Sequence, residues 1–144
     1  MRVDGLLKGK GSEVVTIGPD QTLLSAVGDL GGRRIGALVV VAADGSVAGI
    51  LSERDIVAAI ARDGAAALER TVGDVMTADV ITCSPMDTME QLMSAMTEQH
   101  IRHLPVLSGG ALVGIVSIGD VVKRRVAEIQ DEATALGDYI THGR

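Results

Sequence analysis

Apolar and polar positions alternate along the chain in blocks that predict short strands separated by amphipathic helices. The run VVTI at residues 14–17 and the run ALVVV at 37–41 are rich in β-branched residues and predict strands. Residues 23–30 place Leu and Val at helical spacing and predict a helix between these two strands. Because ALVVV is apolar throughout, we expect its sheet to be covered on both faces.

This order of elements occurs twice, with identical residues at a nearly constant offset. Before the connecting turn, the matching pairs are Thr16 and Thr82, Pro19 and Pro85, Thr22 and Thr88, and Ile35 and Ile101, each 66 positions apart. After the turn they are Gly49 and Gly114, Ser52 and Ser117, Asp55 and Asp120, and Val57 and Val122, each 65 positions apart. The chain is therefore predicted to contain a duplicated unit.

Each unit has the order strand, helix, strand, strand, helix. Thr22 or Thr88 is predicted to cap the first helix. The dipeptides DG at 44–45 and GG at 109–110 predict the hairpin turns between the second and third strands. One unit is too small to bury its own sheet. We therefore predict an α/β (α+β) fold, in which two βαββα units, each with a small mixed sheet and two helices, pack as a pseudo-twofold pair.

The remaining segments complete the predicted organisation. We expect an N-terminal helix and turn at 1–13, repeat 1 at 14–62, a linker at 63–79, repeat 2 at 80–126, and a helix extension with a tail at 127–144. The last helix is predicted to run to about Leu136. A methionine stripe is predicted to belong to the core or to an interface between copies: Met86, Met89, Met93 and Met96.

Composition narrows the function classes. The chain carries 19 acidic residues against 13 Lys and Arg, a net charge of −6, which disfavours duplex nucleic-acid binding. Its basic clusters, Arg33–Arg34 and Lys123–Arg125, are typical of a solvated face. The aromatic content of 1%, Tyr139 alone, disfavours base stacking. The chain shows neither a signal-peptide pattern nor an apolar run of membrane-spanning length, so we expect a cytoplasmic protein with no nucleic-acid or membrane partner.

The succession VVTIGPDQT, RIGALVV, GILSERDIV, DVMTADVITCSP, IRHLPV and GIVSIGDVV resembles a tandem pair of CBS domains, also called a Bateman module, over residues 3–136. The resemblance implies binding of an adenosyl ligand such as AMP, ADP, ATP, NAD or S-adenosylmethionine between the two repeats. It also implies a disk-like homodimer. An unknown regulated protein is a further expected partner.

A Ser and an Asp three residues later open the second helix of each unit, at Ser52 and Asp55 and at Ser117 and Asp120. One interpretation is helix capping, because Ser is a preferred N-cap residue and an acidic residue suits the positive helix end. The other is nucleotide recognition, in which the carboxylate accepts hydrogen bonds from a ribose diol and the helix N-terminus binds phosphate. The family resemblance assigns these Asp residues to ribose.

Basic residues precede the second strand of repeat 2, at Arg102 and His103. By resemblance they meet phosphates, for which an Arg offers a planar fork. Repeat 1 has Gly36 and Ala37 there, with Arg34 displaced by two positions, so we expect two unequal clefts, with the better phosphate site served by Arg102 and His103. His103 is equally explained as a half-buried structural histidine.

The resemblance also implies a crossed arrangement of the remaining ligand contacts. One site combines Ile50, Ser52 and Asp55 with Met76, Thr77 and Ile81, and the other combines Ile115, Ser117 and Asp120 with Lys10, Val15 and Thr16. Arg54 is a further phosphate candidate, although an exposed helix face explains it as well.

Catalysis and metal binding are not expected. The motifs G-x-S-x-G, G-x-x-x-x-G-K-[ST] and G-x-G-x-x-G are absent from the sequence, and the repeats occupy nearly the whole chain. Cys83, expected to be a small buried residue, has no metal-ligand spacing with His100, His103 or His142. Three hypotheses remain: a non-catalytic nucleotide sensor, a structural dimer or adaptor with degenerate clefts, and a hydrolase or transferase using His103 or an Asp as base.

Overall fold

The structure, a computed structural model, describes residues 1–142, and the last two residues of the predicted tail lie outside this range. The helices are α1 (Val3–Lys10), α2 (Leu23–Arg33), α3 (Glu53–Asp63), α4 (Val72–Val75), α5 (Met89–Gln99) and α6 (Ile118–His142), with a 3-10 helix at Gly64–Glu69. The strands are β1 (Thr16–Ile17), β2 (Ala37–Val41), β3 (Val47–Ser52), β4 (His103–Ser108) and β5 (Ala111–Ser117). The predicted fold of two α/β units is confirmed.

Each repeat is built on an antiparallel hairpin flanked by a short parallel segment. In repeat 1, β1 pairs with β2 in parallel and β2 pairs with β3 antiparallel, so the sheet is mixed as predicted. In repeat 2, β4 pairs with β5, and the parallel segment is reduced to one bridge between Cys83 and Val106. The first strands are thus shorter than the predicted four-residue runs, because only their last residues reach the hairpin.

The sequence signals at turns and helix starts are confirmed. Gly45 has φ 87°, and Gly109 and Gly110 have φ 58° and 84°, a region that favours glycine. Thr22 Oγ1 accepts a hydrogen bond from the backbone N–H of Ser25 (3.2 Å) at the start of α2. Thr88 caps α5 in a reciprocal capping box with Gln91.

The protein has two separate hydrophobic cores, one in each repeat, and each core includes a helix from outside its repeat. Helix α1 brings Val3, Leu6 and Leu7 into the core of repeat 2, whereas α4, in the linker, brings Val72 into the core of repeat 1. Two isolated bridges repeat this crossing, one between Arg2 and Thr88 and the other between Thr22 and Thr71. Each repeat is therefore completed by a segment that precedes the other repeat in the chain.

Two matched glycines allow this crossing. A Cβ at Gly114 would lie 2.7 Å from a methyl carbon of Leu7, and a Cβ at Gly49 would lie 2.6 Å from the sulfur of Met76. Both distances are shorter than real Cβ contacts. The segments carrying Leu7 and Met76 can therefore pack this closely on β5 and β3 only because Gly114 and Gly49 have no side chain. The Gly49–Gly114 identity in the repeat thus has a packing cause.

Helix α6 extends beyond its predicted end near Leu136 and continues to His142. Residues 137–142 contain no proline that would stop it. Within residues 1–142, no helix combines the length and the apolar composition that crossing a bilayer requires. The methionine stripe divides: Met96 is buried and Met89 packs against the repeat 2 core, whereas Met86 and Met93 are exposed.

Candidate functional site

A cavity of about 500 Å³, here called the Asp120 cavity, lies where the two repeats and α1 meet. The first turn of α6 and the end of β5 supply one part of its wall, the start of β2 supplies another, and the segment after α1 supplies a third. Its lining comprises Lys10, Glu13, Val14, Val15, Arg33, Arg34, Ile35, Gly36, Ala37, His103, Ile115, Ser117 and Asp120. The site thus draws on residues more than 100 positions apart in the sequence.

Ser117 and Asp120 fix each other at the N-terminus of α6. The backbone N–H of Ser117 donates to Asp120 Oδ2 (2.8 Å), and the backbone N–H of Asp120 donates to Ser117 Oγ (3.1 Å). This reciprocal pair is a capping arrangement, so the capping interpretation is satisfied. It also holds the carboxylate in the cavity wall, where a ligand can reach it.

Lys10 links α1 to this carboxylate. Its ammonium donates to Asp120 Oδ2 (2.6 Å) and to the carbonyl oxygen of Ile115 (2.7 Å). The Lys10 and Asp120 side chains are 28% and 22% exposed, so the ion pair is partly shielded from water. The Lys10 ammonium and the backbone N–H of Ser117 both donate to Oδ2 of Asp120. Among the described residues, Oδ1 of Asp120 has no hydrogen-bond partner.

The charge state of Asp120 follows from these contacts. Burial opposes its ionisation, but hydrogen bonds from Lys10 and Ser117 and the charge of Lys10 outweigh burial and lower the pKa of Asp120 below 3.8. The carboxylate is therefore ionised at neutral pH and acts as a hydrogen-bond acceptor.

His103, at the start of β4, faces the same cavity. A Cβ placed on Gly36 would lie 3.2 Å from both Cε1 and Nε2 of its imidazole, so the two chain segments touch here. Burial lowers the pKa of His103 below 6.5, although the charges of Asp120 and Glu53 oppose that shift. The imidazole is therefore neutral at pH 7 and can donate and accept a hydrogen bond.

Arg33 and Arg34 supply further positive charge at the end of α2. Arg34 adopts the left-handed conformation (φ 54°) that ends the helix, and His100 does the same (φ 55°) at the matching position of repeat 2. Arg33 Nη1 lies 3.9 Å from Glu13 Oε1. Ion pairs within residues 1–142 do not engage Arg34, which leaves its guanidinium available to an anion.

The matching cluster at the start of α3 has a different composition. Asp55 Oδ2 accepts hydrogen bonds from the backbone N–H (2.9 Å) and hydroxyl (3.1 Å) of Ser52. Thr77 Oγ1 donates to Asp55 Oδ1 (3.3 Å), and Thr77 forms an antiparallel bridge with Ile50. A neutral hydroxyl therefore stands here where Lys10 stands beside Asp120.

A family model for the CBS domain matches the chain twice, at residues 11–62 and 72–127. The chain belongs to the CBS-domain family. The tandem arrangement predicted from the repeat is thereby confirmed, and the protein is a CBS pair.

Individual proteins support the same assignment. The CBS-domain containing protein ATU1752 of Agrobacterium tumefaciens is 50% identical, with a TM-score of 0.84 over 86% of this chain and 92% of that one. The mitochondrial CBS domain-containing protein CBSX3 of Arabidopsis thaliana is 38% identical over 86% of this chain, which spans 62% of that relative's length. CBS domain protein PAE2072 of Pyrobaculum aerophilum, solved in complex with AMP, is 28% identical, with a TM-score of 0.75 over 83% of this chain and 89% of that one.

The CBS pair brings half of the predicted site residues together in the Asp120 cavity. These are Lys10, Val15, Arg34, Gly36, Ala37, His103, Ile115, Ser117 and Asp120. Thr16 is exposed beside Val15, and Arg54 and Arg102 are exposed outside the cavity lining. Arg102 and His103 therefore do not share this cavity, where Arg34 is the neighbouring arginine instead.

Of the other predicted residues, five lie at or beside the Asp55 cluster, and Ile81 lies against the core of repeat 2. Ile50, Ser52, Asp55 and Thr77 are joined by the contacts above, Met76 packs against the repeat 1 core, and Ile81 packs against the repeat 2 core. Sequence reasoning did not assign four lining residues of the Asp120 cavity to the site: Glu13, Val14, Arg33 and Ile35. Two of these carried a signal, because Val14 and Ile35 are identical to Val80 and Ile101 in the other repeat.

Metal ligands do not cluster in the described part of the CBS pair, where no group of three His, Cys, Asp or Glu side chains could hold an ion. The side chain of His142 lies outside that part. Cys83 is buried as predicted, and burial, with the nearby charge of Asp87, raises the pKa of its thiol to about 11. The thiol is therefore protonated and unreactive at neutral pH.

Proposed function

We propose that this CBS pair is a non-catalytic regulatory module that binds an adenosyl nucleotide of the AMP, ATP or NAD(H) class in the Asp120 cavity. The observation that carries the proposal is a cavity of about 500 Å³ with walls from both repeats and α1. Small-molecule sites have volumes of roughly 300–1,000 Å³. A ligand bound there touches three separate segments and can favour one arrangement of them over another.

Asp120 is the proposed ribose acceptor. Its carboxylate is ionised and held by Ser117, and its Oδ1 has no partner among the described residues. A ribose diol presents two hydroxyl donors, which an ionised carboxylate accepts more strongly than a neutral group does. The ligand shares this carboxylate with Lys10, so binding and the position of α1 are coupled.

Arg34 and His103 are the proposed phosphate contacts, with Arg33 beside them. Arg34 offers a planar fork of N–H donors, and the neutral His103 offers one N–H donor. The apolar wall formed by Val15, Ile35, Ala37 and Ile115 is the proposed adenine contact. The relative from P. aerophilum, in complex with AMP, supports this ligand class.

The Asp55 cluster is proposed as the second, unequal cleft. Ser52 and Thr77 already donate to Asp55, and Ile50, which bridges to Thr77, and Met76 provide apolar surface nearby; Ile81 is proposed here on the family resemblance. By the offset of 66, Arg102 occupies the position that Gly36 occupies in repeat 1. Arg102 is therefore proposed to meet a phosphate in this cleft rather than in the Asp120 cavity, with the exposed Arg54 as a further candidate.

Calorimetric titration of the nucleotide-free protein with AMP, ATP, NAD, NADH and S-adenosylmethionine tests the proposal. Asp120→Asn should weaken binding by about 1.5–3 kcal/mol, roughly 10- to 150-fold in Kd, because a charge-assisted hydrogen bond is lost. Arg34→Ala should weaken AMP far more than adenosine. Asp131→Asn, an exposed change on α6, is the matched control and should leave Kd unchanged.

Equal affinity in wild type and Asp120→Asn would remove the ribose assignment. Release of a reaction product from bound nucleotide would replace the sensor by a hydrolase or transferase.

Absence of heat with every ligand, in a folded sample, would favour the structural adaptor. One observation speaks for that alternative: Lys10 already neutralises Asp120, so the ion pair can serve packing alone. Both functions are compatible with a homodimer, which we propose as the working unit.

A further inference from the structure

A second cavity, here called the α1–α6 pocket, lies between α1 and the first turns of α6 and has a volume of about 210 Å³. Helix α1 contributes Leu6 and the backbone of Gly5 and Gly9, and α6 contributes Ala127 beside two basic side chains. Gly5 and Gly9 are about one helical turn apart, so α1 presents no side chain at two successive positions of this wall. The missing side chains leave space between the helices, next to charged groups.

Basic side chains outnumber acidic ones in the α1–α6 pocket, although the chain as a whole has a net charge of −6. Lys10, Lys123 and Arg124 line the pocket together with a single carboxylate, that of Asp120. Ion pairs within residues 1–142 do not engage Lys123. The excess of positive charge favours an anionic group in this pocket.

Arg124 has a donor that the fold does not satisfy. Its Nε is buried and has no hydrogen-bond partner among the described residues. Glu128 places Oε1 3.5 Å from this Nε and Oε2 3.4 Å from Nη1 of Arg125, so two arginines share one carboxylate. An anion in the pocket adds an acceptor beside Arg124, which the protein alone does not supply.

The α1–α6 pocket and the Asp120 cavity meet at the Lys10–Asp120 ion pair, because these two residues line both cavities. The pocket is smaller than the roughly 300–1,000 Å³ of small-molecule sites, so it suits one group of a ligand that extends from the larger cavity. A lysine ammonium has three N–H donors, of which Lys10 uses two, to Asp120 Oδ2 and to the carbonyl oxygen of Ile115. The third donor is available to a group in the pocket.

We propose that the adenosyl ligand carries a phosphate on the 2′ or 3′ oxygen of its ribose, and that Lys10, Lys123 and Arg124 bind this phosphate in the α1–α6 pocket. The inference rests on the proposed function, since it takes Asp120 as the ribose acceptor. Such a ribose retains one of its two secondary hydroxyls, which matches the one carboxylate oxygen, Oδ1, that has no partner among the described residues. Lys10 then lies between the carboxylate and the phosphate and reduces their repulsion.

Calorimetric titration of the full, nucleotide-free chain with AMP, adenosine 2′,5′-bisphosphate and adenosine 3′,5′-bisphosphate tests the proposal. One of the two bisphosphates should bind about tenfold more tightly than AMP, because its second phosphate gains charge-assisted hydrogen bonds. The tighter of the two identifies the ribose oxygen. Lys123→Gln combined with Arg124→Gln should reduce the affinity for that bisphosphate to the affinity for AMP. The Kd of AMP itself should not change, because its phosphate is proposed to bind at Arg34 and His103.

Arg125→Gln is the matched control, because it removes the same charge from the adjacent residue, which also pairs with Glu128 but does not line the pocket. Its Kd values should equal those of wild type. Binding of AMP with neither bisphosphate tighter would overturn this inference and leave the proposed function intact, whereas no binding of any of the three would overturn both. A preference for the bisphosphate that persists in the double variant, or that Arg125→Gln reduces equally, would overturn the assignment to the α1–α6 pocket.

Discussion

His103 occupies a position that is compatible with both a structural role and a ligand-binding role. The structure gives it a half-buried imidazole that contacts Gly36 and lines the Asp120 cavity. Both interpretations made from the sequence, a structural histidine and a phosphate contact, are compatible with that position. The sequence alone could not distinguish the two interpretations, because the burial of the His103 side chain depends on its contact with Gly36 in the other repeat.

Stability should therefore fall as pH is lowered through the histidine range. Burial keeps the folded-state pKa of His103 below 6.5, so between pH 6.5 and that lower pKa the unfolded chain binds a proton that the folded chain does not. The stability present above pH 6.5 is lost as pH falls. Urea denaturation between pH 8 and 5 should show this loss in wild type and a smaller loss in His103→Asn.

His100→Asn is the matched control for this measurement, because His100 is exposed at the end of α5. It should retain the wild-type pH dependence. An identical slope in wild type and His103→Asn would contradict the assignment of the proton to His103.

The Lys10–Asp120 ion pair makes a second prediction at this scale. Lys10→Met should cost roughly 0.5–1 kcal/mol of unfolding free energy at pH 7, the range for a partly exposed pair. The pKa of Asp120 is lowered in the fold, so the pair contributes above pH 3.8 and its contribution disappears as pH falls through the folded-state pKa. Carboxyl NMR titration should show the pKa of Asp120 rising in Lys10→Met. Lys8→Met should leave it unchanged, and a constant pKa in Lys10→Met would contradict the contact.

At the scale of helices and strands, the sequence predicted the features that depend on neighbouring residues and not the contacts between distant segments. Capping residues, turn glycines and the strands β2 to β5 are local features, and the sequence predicted them. The packing of α1 on repeat 2 brings segments together that are some 110 positions apart, such as Lys10 and Asp120. The spacing of apolar residues in α1 does not indicate which repeat the helix packs on. Only the family resemblance predicted that Lys10 lies near Asp120.

The glycines at the crossing give a prediction about helix packing. Gly114→Ala should destabilise the fold, because its Cβ would clash with Leu7, whose side-chain carbons are the three nearest atoms, the first at 2.7 Å. Leu7→Ala should remove that clash, so the double variant should be more stable than the sum of the two single changes predicts. Urea denaturation of the four proteins measures this coupling.

Gly49→Ala with Met76→Ala is the matched cycle in repeat 1. There a Cβ would also lie 2.8 Å from the backbone carbonyl oxygen of Thr77, which a change at Met76 does not move. Its coupling should be weaker. Equal coupling in both cycles would contradict the difference between side-chain and backbone obstruction.

For the whole molecule, the duplication predicts two similar sites, and the differences between repeats make them unequal. Val15, Ser117 and Asp120, which line the Asp120 cavity, correspond to Ile81, Ser52 and Asp55, which we propose for the second cleft. At the positions that match Lys10, Arg34 and His103, the other repeat has Met76, His100 and Ala37, so the two repeats do not supply the same polar groups. The sequence could therefore predict the Ser and Asp residues that the two repeats share. Which charged residues lie beside each Asp could be seen only from the structure, because α1 packs on the repeat that it does not precede.

That crossing predicts that damage to one end of the chain weakens the distant repeat. Leu6→Ala removes a side chain from the core of repeat 2, whereas Val72→Ala removes one from the core of repeat 1. Native-state hydrogen exchange should show reduced protection in β4 and β5 for Leu6→Ala, although Leu6 directly precedes repeat 1 in the chain. Val72→Ala should instead reduce protection in β2 and β3, which makes each variant the control for the other. Loss confined to β2 and β3 in Leu6→Ala would mean that α1 packs on the repeat it precedes, and a uniform loss in both variants would mean that the two cores open as one unit.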